Sequence, residues 1–190
     1  KGEEVQFSRV HGIIGEKGSE LPLGDPRRKY KGRAALLGNR VFDQDFSQAT
    51  FADLGNAPTL MEGARFTDAY GCVPGNTIEQ ADAVQAYIQA PMKGPACWVE
   101  LPPEGIQNPE FFNAVRDPVV KLEYALYGHT DSPTWWEHKC AEEVRKRGFE
   151  RFGPEWPSIY VHKGLKLVLS IYVDDFKLAG PIDALPHGWA

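Results

Sequence analysis

The stretch "LSIYVDDFKLAG", residues Leu169–Gly180, sets two adjacent carboxylates, Asp174 and Asp175, inside an otherwise apolar run of strand-forming residues. Aspartate is a poor strand residue and a common turn residue. The economical reading is therefore a hairpin between "LVLSIYV" and "FKLAG" with the Asp pair at its tip. The flanks are apolar and lack the glycine or asparagine that normally supplies positive φ in a two-residue hairpin. Two carboxylates this close repel each other unless a cation compensates, and a divalent metal would remove the conflict.

A third carboxylate extends the pattern. Asp82 ends the predicted strand "TIEQAD", so it can project from a sheet edge beside the hairpin tip. Three carboxylates with open positions suit Mg²⁺, which demands oxygen ligands, retains water and is usually completed by substrate phosphates. A pair of such ions can activate an attacking hydroxyl and stabilise the leaving oxygen of an in-line phosphoryl displacement, which is the chemistry of nucleotidyl transfer.

The rest of the chain constrains the setting. With 190 residues, of which 42% are hydrophobic, it can bury one sizeable core or two small ones. No window reaches eighteen uncharged apolar residues, and "KGEEVQFSRV" is too charged for a signal peptide, so neither secretion nor membrane insertion is expected. Three cysteines, Cys72, Cys97 and Cys140, without a CxxC, argue against a disulfide framework and for a reduced intracellular setting, each as a small core residue. The net charge of −5 hides an asymmetry. Residues 1–40 hold nine Lys/Arg against five Asp/Glu, and residues 41–190 hold twelve against twenty-one, so a basic leading lobe precedes an acidic body. The basic lobe is either a polyanion grip or a solvated strand pair.

Periodicity and turn residues predict strands near Val5 to Ile14 and Lys29 to Leu37, joined by a polar loop punctuated by Gly18, Pro22, Gly24 and Pro26. A helix follows, capped by Asn56, with Leu60, Met61 and Ala64 on one face and Gly71 at its end. A strand then reaches Asp82 and turns into a short helical stretch, and "ACWVELP" forms another strand. The clearest helix is capped by Ser132 and begun by Pro133. Trp136, Cys140 and Val144 recur along one face, and Arg145, Lys146 and Arg147 complement its C-terminal dipole. A meander of hairpins ends the chain. This order predicts an α+β fold with helices packed on an antiparallel sheet.

Four stretches, in order, resemble the reverse transcriptases of copia-type LTR retrotransposons over roughly Lys29 to Gly180. They are "KYKGRAALLGN", "QADAVQAYIQAPMKGPACWVELPPEG", "LYGHTDSPTWWEH" and the "YVDD" of Tyr172 to Asp175. The resemblance implies a polymerase palm, a ferredoxin-like antiparallel sheet with helices on one face. A small β-rich fingers subdomain would cover about 1–71 and the palm about 72–190, with 107–150 returning partly to the fingers and palm helices. It also implies RNA-directed DNA polymerase activity, adding dNTPs to a primer 3′-hydroxyl on an RNA or DNA template with two Mg²⁺ ions, for which Mn²⁺ could substitute.

Residue by residue, the resemblance makes Asp82 and Asp174 the main metal ligands and Asp175 the third carboxylate, with the Ala83 carbonyl as a further ligand. Tyr87 would hold its ring against the sugar of the incoming nucleotide and disfavour a 2′-hydroxyl, or else be a core aromatic. Tyr127 and Gly128 would lie under the nascent base pair. Lys31 and Arg33 are alternatives for the triphosphate grip, since Arg binds phosphate in a bidentate fork. Ser132, Pro133 and Tyr172 would serve the template and primer. The resemblance places the chain in the cytoplasm, within a virus-like particle, or in the nucleus.

Two features depart from the family pattern. His129 and Asp131 replace a more usual apolar residue and a polar or amide one, and an acid beside a nucleic-acid track is unhelpful. The family's remaining palm strands, thumb, RNase H and integrase segments would follow Ala190 or flank the chain in a polyprotein. A competing reading is a relic or domesticated palm-fold domain that binds nucleic acid or acts as a scaffold without catalysis. Other chemistries are poorly represented: the five histidines form no HExxH, His138 and Cys140 lack two further zinc ligands, and no P-loop or GxSxG elbow occurs.

Overall fold

The computed structural model describes residues 4–51, 58–103, 106 and 108–190. Asn56, expected to cap the first helix, lies outside them. In chain order the elements are β1 (Val5–Lys17), β2 (Lys29–Leu36), β3 (Phe42–Asp43), α1 (Met61–Gly71), β4 (Asn76–Asp82), β5 (Ala96–Glu100), α2 (Pro109–Asn113), β6 (Val120–Lys121), α3 (Ser132–Lys146), β7 (Glu150–Arg151), β8 (Ile159–His162), β9 (Leu167–Tyr172), β10 (Asp175–Pro181) and α4 (Leu185–Trp189). The fold is α+β with two separate sheets. The chain divides into two compact units, residues 1–52 with 91–132 and residues 53–90 with 133–190. α1 packs on the second sheet and belongs to the unit that carries Asp82 and the Asp pair.

In the first unit the sheet order is β2-β1-β5-β6, with β3 added to β1. β1 and β5 run parallel, a pairing not anticipated from the sequence. The strand register explains how one long strand serves several partners: residues 5–9 of β1 pair with β5, and residues 10–17 pair with β2. Alternation along β1 sends Gln6, Ser8 and Val10 inward, where Val10 joins Leu36, Val41, Cys97 and Val99 in the core. His129 is also buried there, edge-on to Phe51 and 3.3 Å from Gln6 Oε1. The Asp131 N–H donates to His129 Nδ1, so the neutral ring carries its proton on Nε2 and donates it to Gln6.

The second unit holds an antiparallel sheet of order β4-β10-β9-β8-β7. Residues 167–171 of β9 are buried without alternation, which requires cover on both faces of the sheet. The expectation of helices on one face is therefore corrected. On one face lies α1: a Cβ at Gly63 would meet Ile159, one at Gly71 would run into Ile78, and Lys177 Nζ reaches Asp68 of the helix at 2.7 Å. On the other lie α3 and α4, where Trp136 and Cys140 face Tyr160 and Ile171, and Gly188 sits against Leu167 and Leu178. The apolar spacing of α3 thus does what its period predicts, burying Trp136, Cys140 and Val144.

Candidate active site

The three aspartates come together through backbone register. Asp82, the last residue of β4, is the direct cross-strand partner of Asp175, the first residue of β10. Directly paired residues have Cα atoms about 4.5–5.5 Å apart and side chains on the same face. The N–H of Ala83 donates to the carbonyl of Asp174 at 2.7 Å, which ties the turn to the end of β4. Both Asp82 and Asp175 are exposed, and Asp174 is half-buried. None of the three carboxylates forms a hydrogen bond or ion pair with another described residue, and the nearest strand cation, Lys177, is engaged by Asp68.

The hairpin differs in one detail from the expected form. Tyr172 pairs with Asp175, so the two-residue tip is Val173-Asp174 rather than the Asp pair, and Asp175 belongs to the strand. The positive φ that the turn requires falls on Val173, at 57°. For a β-branched residue this is a strained conformation, of a kind that accumulates at functional sites. An indole holds it in place: Trp136 Nε1–H donates to the Val173 carbonyl at 2.7 Å. This supporting residue was legible only as one member of the apolar face of α3, and nothing in "SPTWWEH" marks its N–H as the anchor of a turn 37 residues away.

A cleft of about 850 Å³ opens beside the carboxylates, walled by Leu60, Met61, Tyr172 and Lys177 as well as Asp82 and Asp175. Tyr172 is 55% exposed on this wall. Tyr87 lies instead on a small cavity of about 50 Å³, with Pro133, Trp136 and Val173 beside it. Tyr87 is half-buried.

The hydroxyl of Ser132 does not cap α3. It donates to the Leu126 carbonyl at 2.7 Å and accepts from the Leu126 N–H at 3.1 Å, locking the 126–132 loop. Tyr127 and Gly128 on that loop clasp β2 of their own unit. The Leu36 N–H donates to the Tyr127 carbonyl at 2.6 Å, and a Cβ on Gly128, at φ 91°, would collide with the Leu36 carbonyl. The close approach expected of Gly128 is thus made to protein backbone. Lys31 and Arg33 share one face of β2, both exposed, and the Arg33 guanidinium stands 5.8 Å over the Tyr127 ring.

The donor set is all hard oxygen and unpartnered, which fits Mg²⁺ in kind. Among the described residues no three His, Cys, Asp or Glu side chains are already gathered as a metal site. Thiol chemistry is remote. Burial pushes the Cys97 thiol up to about 11, and burial with the nearby Glu137 and Glu143 pushes Cys140 up to about 12. Cys72 is exposed, against the expectation of three core cysteines, and all three are free. No helix among the described residues is long and apolar enough to cross a membrane. Comparison with protein-family models, curated proteins and solved structures returns no match.

Proposed function

We propose that the chain is the fingers and palm core of an RNA-directed DNA polymerase of the copia type, extending a primer 3′-hydroxyl with deoxynucleoside triphosphates. One observation carries the reading. Three carboxylates are brought to one sheet end by the pairing of Asp82 with Asp175 and by the Ala83–Asp174 bond, at a strained Val173 turn beside an open cleft. Two like charges directly opposite each other on adjacent strands cost stability. A fold that keeps them unpaired, with a free wall beside them, is organised to meet a cationic or metal-bound ligand.

Asp82, Asp174 and Asp175 would hold Mg²⁺ by rotating their carboxylates toward one another. When bound, the metal supplies Lewis-acid activation of the attacking hydroxyl and charge neutralisation on the phosphates. The protein's own contributions are positional. Trp136 fixes Val173, and through it the backbone position of Asp174; Leu60 and Met61 form an apolar wall on one side of the cleft. Tyr172, exposed on that wall, is placed to contact the primer terminus. Tyr87 acts on the sugar through its ring at the neighbouring cavity, and Pro133 shapes that cavity. The nucleotide contacts of Lys31, Arg33, Tyr127 and Gly128 remain part of the proposal.

Primer extension on an RNA template tests the assignment. Incorporation by the chain with Mg²⁺ and dNTPs, abolished in Asp174→Ala, is expected. Equal incorporation by both would remove the polymerase claim, and template binding without incorporation by either would favour the non-catalytic relic.

A further inference from the structure

The first unit carries a second surface, built from residues that, Lys31 and Arg33 apart, have no role assigned above. Register places Phe42 of β3 opposite Phe7 of β1, Phe7 opposite Trp98 of β5, and Trp98 opposite Lys121 of β6. Directly paired residues share a face, so three aromatic side chains and a lysine form one row across four strands, spaced by the strand separation of about 4.8 Å. The opposite face is the buried one, with Gln6, Ser8, Cys97 and Val99. The aromatic row is thus the outer face of the sheet. Phe46, 79% exposed, stacks on Phe7 at 6.1 Å with an interplanar angle of 14°, and these four rings border a groove of about 430 Å³.

The charge on the same face is mostly positive. Arg9 and Arg40 line the groove, and its one acid among the described residues, Glu100, is held by Arg9 at 2.6 Å. Alternation continues this face along β1 to Lys17, which sits directly opposite Lys29, with Lys31 and Arg33 following at two-residue steps on β2. Like charges directly paired across a ribbon are unfavourable unless an anion lies over them. Lys17, Lys29 and Lys31 have no acidic partner among the described residues.

We propose that this face binds single-stranded nucleic acid, with unpaired bases stacking on Phe42, Phe7, Phe46 and Trp98 and the phosphates lying along Arg40, Lys121, Lys17 and Lys29. Flat rings on an outer sheet face joined to a cationic track are the two requirements of a stacking platform, and every unpaired base offers a π-face whatever its identity. A duplex hides those faces, so it satisfies only the cations. The surface goes beyond the polymerase reading and does not need the carboxylate chemistry.

The test is fluorescence anisotropy of a labelled fifteen-nucleotide oligothymidylate with the full chain, in EDTA and in an Asp174→Ala background, so that loss of polymerase activity cannot decide it. Phe46→Ala and Trp98→Ala are expected to weaken binding by about fivefold to a hundredfold each, the range for one lost stacking partner. Arg40→Gln should flatten the plot of log affinity against log salt by about 0.7, one phosphate's share on a single strand. Blunt duplex of the same length should bind more weakly than the single strand. Phe46 is a surface residue, so its variant decides the matter should Trp98→Ala fail to fold by circular dichroism. Unchanged affinity in Phe46→Ala and Arg40→Gln, or equal affinity for duplex and single strand, would overturn the proposal. So would an absence of binding at low salt, which would leave the face to a protein partner.

Discussion

Asp82 and Asp175 occupy one rung of the second sheet, paired directly across β4 and β10, and neither carboxylate has a protein partner among the described residues. Their separation in sequence is closed by nothing more elaborate than antiparallel register, which runs unbroken from Pro181–Asn76 to this rung. The carboxylates therefore belong to the geometry of the sheet end and do not depend on a loop to assemble them.

This rung predicts a trade between stability and ligand binding. In metal-free buffer, Asp82→Asn removes a like-charge pair and should raise the unfolding free energy of the second unit by roughly 0.2–1 kcal/mol. With millimolar Mg²⁺ the order should invert, because only the wild-type chain gains stability from a ligand that binds the native state. Urea titrations with and without the metal read both signs.

The Val173 turn predicts a second trade. Val173→Gly relieves the positive φ and should be neutral or stabilising by about 1 kcal/mol, while loosening the position of Asp174 and lowering primer extension. Trp136→Phe keeps most of the ring packing and loses the hydrogen bond to the Val173 carbonyl, at a cost of about 1 kcal/mol. Both variants should lower the rate constant for incorporation more than the affinity for template, measured in single-turnover extension and anisotropy respectively.

His129 predicts the pH response of the first unit. Burial holds the folded imidazole down at about 4 against an ordinary value near 6.5, so the unfolded chain takes up the proton more readily. The stability that this supplies is fully present above about pH 6.5 and is lost as pH falls toward 4, amounting to at most about 3 kcal/mol. His129→Gln should flatten that fall between pH 6.5 and 4 in urea titrations that monitor the first unit.

Most of the second unit was legible in the sequence because its signals are local. The period of α3, the apolar run of β9 and the breaker at Lys163-Gly164 each determine an element by themselves. The hairpin was readable to within one residue: Asp174 sits in the turn, but the tip is shared with Val173 because the Tyr172–Asp175 pair sets the register. What escaped was non-local. The parallel pairing of β1 with β5 joins residues 91 positions apart in the chain, and the cover on the second sheet face depends on Gly63 and Gly71, whose missing side chains let α1 approach. Ser132 read as a cap because its position suits one, yet its hydroxyl satisfies the Leu126 backbone instead. The aromatic row was likewise invisible, since Phe7, Phe42 and Trp98 become neighbours only through strand pairing.

Binding of Mn²⁺ followed by electron paramagnetic resonance tests the central claim most directly, because the free-ion signal falls as the protein takes up the metal. The wild-type chain should deplete that signal, with Asp82→Asn and Asp174→Asn each restoring most of it while retaining the native circular dichroism spectrum. Depletion that is identical in the wild type and both variants would show that the metal does not reside on these carboxylates and would contradict the account.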